Sequence, residues 1–287
     1  TMSGRKIFNT IISVIAAVVV LASAYMGLTK PYLARSAGGG GWSNNNSVTQ
    51  IKRRGYIRIG VYGDLPPYGW VNSQGKRVGF DLRLARELAK ELGVKPRFTQ
   101  LNGNNRVDAL NSDKVDMVLA NFTKTPERAE VVDFAHPYMK VSTGVVSPKS
   151  HPITSEKQLR GKQLILLKGS TGENYFAKRP GIKLLRFDSE TQQFNAMKNK
   201  RGAALADDNS YLYAWIKKNP QYVVGIRSIG PHQFIAPAVK KGNKSLLKWT
   251  NKQINRLTAE GFFKKDYQIE LKPYFGKGIV PSDILLK

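Results

Sequence analysis

One segment carries most of the information about fold and binding chemistry: Asn121-Phe-Thr-Lys-Thr-Pro-Glu-Arg-Ala-Glu-Val-Val-Asp-Phe-Ala-His-Pro-Tyr138. It follows the apolar, strand-like run Val115-Asp-Met-Val-Leu-Ala120. Thr125-Pro-Glu127 is typical of a helix start, with Thr at the N-cap and Pro at the first helical position. Free N–H groups and the positive end of the helix dipole then lie just past the strand, with Arg128 one turn inside. This arrangement suits a small anion such as an amino-acid carboxylate, although a plain strand–loop–helix joint with a solvated Arg128 is the alternative.

Strand and helix patterns alternate from residue 48 onward. A strand at 57–61 is followed by an amphipathic helix at 82–92 that ends at Gly93. A second short strand begins at Arg97-Phe98, and a helix at 105–112 leads into the strand at Val115. This alternation predicts an α/β sheet with crossover helices.

A second unit follows residues 144–149. We expect a short capped helix at 154–161, a strand at 163–167, and a polar turn, Lys168-Gly-Ser-Thr-Gly172, that opens another helix. The chain returns to the first unit near 235–240, and a helix at 244–260 completes it. Two lobes that each present a strand end, a loop and a helix N-terminus favour a ligand held between them, with two crossing segments as the hinge.

Composition excludes several classes of function. The 287 residues include no cysteine, so disulfides and thiol chemistry are excluded, and the three histidines lack metal-ligand spacing. The net charge of +26 is spread along the chain without a nucleic-acid-binding motif. We therefore expect no nucleic-acid partner, no metal and no cofactor; the charge favours a solvated surface, near anionic lipids or acidic partners.

The N-terminus has the features of an export signal. Arg5-Lys6 precede an apolar run at 11–24 that ends in Ala22-Ser-Ala24, which predicts a signal peptide cleaved after Ala24. The alternative is an uncleaved membrane anchor at residues 7–28. Residues 25–47, rich in Gly and Asn, are predicted to be a flexible linker.

Further stretches occur in an order that resembles a known family. They are Arg54-Gly-Tyr-Ile-Arg-Ile-Gly-Val61, Leu65-Pro-Pro-Tyr68, Val78-Gly-Phe-Asp-Leu82, Lys168-Gly-Ser-Thr-Gly-Glu173, Ala204-Leu-Ala-Asp-Asp-Asn209 and Ile235-Ala-Pro-Ala-Val-Lys240. Together with the opening segment, they resemble the periplasmic amino-acid-binding proteins of ABC importers, in particular the cysteine, glutamine and aspartate/glutamate binders. The resemblance implies a periplasmic-binding-protein type II fold, with residues 48–145 and 235–287 in one lobe and 146–234 in the other.

An amino-acid ligand needs donors for its carboxylate and acceptors for its ammonium. Arg128 is the candidate carboxylate clamp, because its planar fork matches two oxygens. The resemblance places the ammonium at Asp208, with Asp207 as the adjacent contender and helix capping as the other role open to Asp208. The remaining candidate contacts are Asn121, Thr123, Ser170, Thr171 and Tyr68. Asp81 is predicted to cap the helix at Leu82.

The resemblance implies a monomeric binding protein of the periplasm, membrane-proximal, which captures a small polar L-amino acid and delivers it to ABC permease subunits without chemistry. Two alternatives stay open. Cyclohexadienyl dehydratases share the fold, and Glu173 occupies a place suited to a general acid. A membrane-tethered amino-acid sensor domain is the other.

Overall fold

The computed structural model describes residues 46–276 and 278–286. The predicted signal peptide (1–24) lies outside the described residues, as does the predicted linker (25–47) apart from its last two residues. The described residues form one compact unit. Among the described residues, no helix has the length and apolar character that are needed to cross a bilayer.

The first lobe is built on a five-stranded sheet with the order β5-β1-β6-β13-β7. Its strands are β1 (Tyr56–Tyr62), β5 (Lys95–Leu101), β6 (Met117–Val118), β7 (Val132–Phe134) and β13 (Ala238–Lys240). Strand β1 is parallel to β5 and β6, whereas β13 is antiparallel to β6 and β7. A small antiparallel sheet follows β1, with strands β2 (Asp64–Leu65), β3 (Gly69–Val71) and β4 (Arg77–Val78).

Helices cover the first sheet and supply most of its core. They are α1 (Val48–Arg54), α2 (Phe80–Leu92), α3 (Arg106–Asn111), α4 (Pro126–Val131), α8 (Lys244–Ala259), α9 (Phe262–Asp266), a π-helical turn (Tyr267–Leu271) and α10 (Pro281–Ile284). The apolar face of α2 is fully buried, as its 3.6-residue periodicity predicts.

The second lobe is built on another five-stranded sheet, with the order β10-β9-β11-β8-β12. Its strands are β8 (Met139–Pro148), β9 (Gln163–Leu167), β10 (Lys183–Phe187), β11 (Ala204–Asp208) and β12 (Tyr222–Ile235). Its helices are a 3-10 turn (Glu156–Leu159), α5 (Thr171–Ala177), α6 (Glu190–Lys198) and α7 (Asn209–Lys218). Each sheet packs its own buried apolar clusters, so the predicted two-lobed type II architecture is confirmed.

The two crossings between the sheets are hydrogen bonded to each other. Strands β8 and β12 pair in antiparallel fashion as far as Met139 and Ile235, with three register shifts along β12. Beyond the strands, the Tyr138 N–H donates to the Ile235 carbonyl at 2.9 Å and the Ala135 N–H to the Pro237 carbonyl at 2.9 Å. The hinge is therefore a continuous two-stranded ribbon.

Local rules predicted most element boundaries, with one clear error. Helix α4 starts at Pro126, where Thr125 Oγ1 accepts from the Arg128 N–H at 3.1 Å. Helix α2 begins at Phe80, two residues earlier than predicted, and its N-cap is Gly79. The prediction that Asp81 caps this helix is wrong, because its carboxylate bonds to groups elsewhere in the fold.

Candidate functional site

Arg128 lies where the two lobes meet. Its Nη1 donates to the Thr123 carbonyl at 2.8 Å in the first lobe, and its Nη2 donates to the Gly169 carbonyl at 2.5 Å in the second. The guanidinium carbon sits 4.9 Å from the centre of the Phe122 ring. The capped start of α4 and the strand end before it fix this position.

A second guanidinium, that of Arg106, faces the same ring. Its carbon lies 4.5 Å from the centre of the Phe122 ring, and its side chain is buried. Within the described residues, no carboxylate lies within salt-bridge distance of Arg106 or Arg128. Burial, and then the charge of Arg106, lower the pKa of Arg128. One buried and one partly buried cation without a facing anion favour the entry of a carboxylate.

Asn121 connects these cations to the opposite side of the cleft. Its backbone is left-handed, with φ at 43°, a conformation that Asn tolerates better than most residues. Its carbonyl accepts from Arg106 Nη1 at 3.1 Å, and its N–H donates to Asp81 Oδ2 at 2.9 Å. Its Nδ2 donates to Asp208 Oδ2 at 2.8 Å across the two lobes, while its buried Oδ1 lacks a hydrogen-bond partner.

Asp81 anchors this strand end from behind. One carboxylate oxygen holds Asn121, and the other accepts from the Tyr138 hydroxyl at 2.6 Å. Burial raises the pKa of Asp81 to about 6, and the bonds from Tyr138 and Asn121 partly offset that effect.

Asp208 caps a helix, which is one of the two roles that the sequence left open, and it also faces the cleft. It is the N-cap of α7, where Oδ1 accepts from the Ser210 N–H at 2.8 Å and from its hydroxyl at 2.6 Å. Burial raises the pKa of Asp208 to about 7, although the bonds from Asn121 and Ser210 favour its ionised form. Asp208 can both cap the helix and bind a ligand, because Oδ1 accepts the capping bonds whereas Oδ2 faces the first lobe, where it accepts from Asn121.

Asp207 is held more completely by its own lobe. Its Oδ1 accepts from the Asp208 N–H at 2.8 Å and from the Tyr211 hydroxyl, and its Oδ2 accepts from Gln193 Nε2 at 2.6 Å. Burial raises the pKa of Asp207. Since a carboxylate offers about four lone-pair sites, these three bonds leave room for another donor.

Two of the three predicted hydroxyl contacts, those of Ser170 and Thr171, already have partners in the second lobe. Ser170 caps α5, where its Oγ accepts from the Glu173 N–H at 3.0 Å. Thr171 Oγ1 donates to Gln233 Oε1 at 2.7 Å, within the second lobe. Thr123 is buried beside Arg128 and offers its carbonyl to it.

Tyr68 is part of the interface between the lobes. Its fully buried ring makes edge contacts with Phe80 and Tyr211, with centres 6.3 and 6.1 Å apart, and its hydroxyl bonds to Ser210 Oγ in α7. The lobes also touch through glycine: a Cβ on Gly169, whose φ is 73°, would lie 3.3 Å from the Asn104 Cα. The structure is therefore the closed arrangement of the cleft.

Sequence reasoning missed Arg106 and Glu190. Glu190, in the first turn of α6, is fully buried, and neither carboxylate oxygen has a hydrogen-bond partner among the described residues. Burial and the nearby Asp64 raise the pKa of Glu190 to about 8. An acidic residue at a helix start usually serves the dipole at the surface, so no local signal distinguishes this one.

Glu173 does not have the environment of a general acid. Its Oε2 accepts from the Gly169 N–H at 2.7 Å, and its Oε1 pairs with Arg186 Nε at 2.6 Å. Both oxygens hold the loop that approaches Arg128. Within the described ranges, the acidic and histidine side chains form no cluster suited to a metal ion.

Comparison with known proteins gives a consistent picture. The sequence profile described as bacterial extracellular solute-binding proteins, family 3, matches residues 57–272. The chain is 49% identical to a solved L-cysteine solute receptor of Neisseria gonorrhoeae, with a TM-score of 0.82 over 84% of this chain and 100% of that one. A cysteine-binding protein from Campylobacter jejuni gives 46% identity and a TM-score of 0.82, over 84% of this chain and 98% of that one.

More distant relatives are similar over the same region. The ABC transporter glutamine-binding protein GlnH of Bacillus subtilis is 28% identical over 93% of this chain and 98% of its own length. A solved ancestral amino-acid-binding protein, described as a precursor of cyclohexadienyl dehydratase, is 30% identical, with a TM-score of 0.73 over 78% of this chain and 99% of that one.

Proposed function

This chain belongs to the bacterial extracellular solute-binding proteins of family 3, and we propose that it binds one small polar L-amino acid between its two lobes. The ligand that we favour is L-cysteine. The carrying observation is the charge pattern of the closed cleft. Arg106 and Arg128 flank Phe122 without a facing carboxylate, whereas Asp207 and Asp208 lie on the other lobe. A zwitterion complements both sides.

In this proposal the ligand carboxylate is bound by Arg128, with Thr123 nearby and α5 contributing from Ser170 and Thr171. The ammonium group is bound on the side of Asp207 and Asp208. A ligand favours the closed form only if it contacts both lobes, and these groups come from both.

L-cysteine is favoured over other amino acids by similarity. The two solved proteins that share 46 and 49% sequence identity with this chain are a cysteine-binding protein and an L-cysteine receptor. The solved arginine-binding proteins of Thermotoga maritima share only 31–32% identity with it. Side-chain pockets diverge faster than the clamp for the shared α-carboxylate and α-ammonium groups, so the more similar proteins are the better guide.

The wider role follows from the family. We propose that the protein acts outside the cytoplasmic membrane, as a monomer, and hands its ligand to ABC permease subunits without chemistry. The lobes in this proposal comprise residues 48–145 with 235–287, and residues 146–234. The engagement of both Glu173 oxygens argues against the dehydratase reading.

The test is isothermal titration calorimetry on the full chain, refolded from denaturant to remove carried-over ligand, with the twenty L-amino acids, prephenate and arogenate. We expect stoichiometric binding of L-cysteine and no turnover. Arg128→Ala should weaken binding at least about tenfold, because it leaves a buried ligand carboxylate unpaired. Arg53→Ala, at an exposed position on α1, is the matched control and should bind normally.

Two outcomes contradict the proposal. Normal affinity in Arg128→Ala removes that residue from the site. No heat with any amino acid, combined with continuous heat on prephenate or arogenate, makes the protein an enzyme and returns attention to Glu173.

A further inference from the structure

We propose that Glu190 is an additional binding residue for the α-ammonium group of the ligand, acting beside Asp207. The inference rests on the proposed function and deepens it. It assigns a contact on α6, an element in which the sequence showed no candidate, and it predicts a proton exchange that the other contacts do not require.

The position of Glu190 is unusual for a carboxylate. Its side chain is fully buried, yet neither oxygen has a hydrogen-bond partner among the described residues. A buried charged group normally has a partner, because burying it alone is costly. The Tyr62 hydroxyl faces this carboxyl and favours its ionised form, but no cation of the described chain is paired with it.

Groups from both lobes face Glu190. Tyr62 and Asp64 approach from the first lobe, and Asp207 and Tyr211 from the second. Closing the lobes thus adds the Asp64 carboxylate of the first lobe to the Asp207 carboxylate that already lies near Glu190 in the second, which favours the arrival of a cation.

The other unpartnered buried atoms nearby are also acceptors. Asn121 Oδ1 and Gln193 Oε1 lack partners, and the same two side chains donate their amide N–H groups to Asp208 and Asp207 respectively. A group that satisfies these acceptors must carry several N–H donors and a positive charge, and a primary ammonium has both.

Glu190 lies where the two lobes meet. Thr191, the next residue of α6, donates its hydroxyl to Asp64 Oδ2 at 2.8 Å across the lobes. A cavity of about 210 Å³ between the lobes is lined by Asp64, Thr191 and Tyr211 among others, but not by Glu190 itself. The carboxyl of Glu190 is therefore covered in the closed form by groups of both lobes, and it becomes accessible when they separate.

The arrangement predicts that binding displaces a proton. Burial and Asp64 raise the pKa of Glu190 to about 8, so the carboxyl is protonated in the closed, ligand-free protein near neutral pH. An ammonium beside it favours the carboxylate, and the proton passes to the buffer. Asp208, whose pKa is about 7, is mostly ionised at pH 7.5, so an ammonium bound by Asp208 alone releases little of a proton at that pH.

The test compares the wild-type full chain with Glu190→Gln and with the control Glu91→Gln, at an exposed position of α2. L-cysteine is titrated calorimetrically at pH 7.5 in phosphate and in imidazole, whose different ionisation heats give the number of protons released. We expect the wild type and Glu91→Gln to release most of one proton. Glu190→Gln should release only a small fraction of a proton and should bind at least about tenfold more weakly.

A second probe separates an ammonium contact from a folding defect. The wild type should strongly prefer L-cysteine to 3-mercaptopropionate, which lacks the amino group, and Glu190→Gln should lose much of that preference. Unchanged affinity, proton release and preference in Glu190→Gln would overturn the inference and leave the proposed function standing. A wild type that binds no amino acid would overturn the proposed function itself, and the inference with it.

Discussion

Replacing Glu190 by Gln should stabilise the ligand-free protein, and by more as the pH rises. Glutamine is close in shape to the protonated acid, and its amide oxygen can still accept from the Tyr62 hydroxyl that faces Glu190. The effect of the substitution therefore reports the cost of ionising one buried carboxyl.

The magnitude follows from the pKa of this group, which rises from 4.5 to about 8 on folding. The folded protein holds the proton that the unfolded chain releases near pH 4.5. The associated stability is fully present below that pH and is lost as the pH rises through about 8, a total of roughly 5 kcal/mol. Between pH 5 and 7 the stability of Glu190→Gln relative to wild type should rise by roughly 2–3 kcal/mol.

The assay is urea unfolding of the ligand-free full chain between pH 5 and 8, followed by tryptophan fluorescence. Trp215 stacks on Phe194 of the same helix that carries Glu190, with ring centres 5.1 Å apart, so it reports on this region. Glu91→Gln, which removes an exposed carboxyl on α2, is the control measured in parallel. The reasoning is refuted if the difference between Glu190→Gln and wild type is independent of pH.

Three further substitutions probe the cleft. Tyr68→Phe removes the hydroxyl that bonds to Ser210 across the lobes, so ligand affinity should fall by about fivefold, equivalent to about 1 kcal/mol; unchanged calorimetric affinity would exclude a role in closure. Asp81→Asn loses an acceptor for the Asn121 N–H or the Tyr138 hydroxyl, worth about 1–3 kcal/mol, but it also removes a buried carboxyl whose pKa of about 6 costs stability above that pH; urea unfolding should therefore show a greater loss at pH 5 than at pH 8, and the opposite order would contradict this account. Gly169→Ala places a Cβ at φ 73° against Asn104, so it should cost about 1–2 kcal/mol in thermal unfolding, and wild-type stability would contradict the left-handed loop.

The sequence predicted those features that depend on residues close together in the chain. Thr125 and Pro126 mark a helix start by rules that act within four residues, and the periodicity of 82–92 indicates its buried face without reference to the rest of the chain. The same rules predicted that Arg128 lies near the end of the preceding strand. In the structure it lies there, in contact with both lobes.

Long-range pairing explains the errors. Asp81 stands at a helix start, as a cap does, but its partners lie 40 and 57 residues away and compete for the carboxylate. Glu190 and Arg106 become notable only through burial against groups distant in the chain. Tyr68 follows two prolines, a pattern that predicts a turn. It does not predict the contacts that Tyr68 makes with Tyr211 and Ser210 of the second lobe.

The paired ribbon between the sheets constrains how the protein can move. Two unconnected linkers would allow the lobes to slide, tilt and rotate independently. Hydrogen bonds between the crossings, from Tyr138 to Ile235 and from Ala135 to Pro237, resist sliding, whereas a two-stranded ribbon twists readily. Motion is thereby reduced towards one torsional coordinate, so the contacts from Arg128 to Gly169 and from Asn121 to Asp208 should form and break together. A transporter that reads lobe orientation would then receive a two-valued signal instead of a graded one.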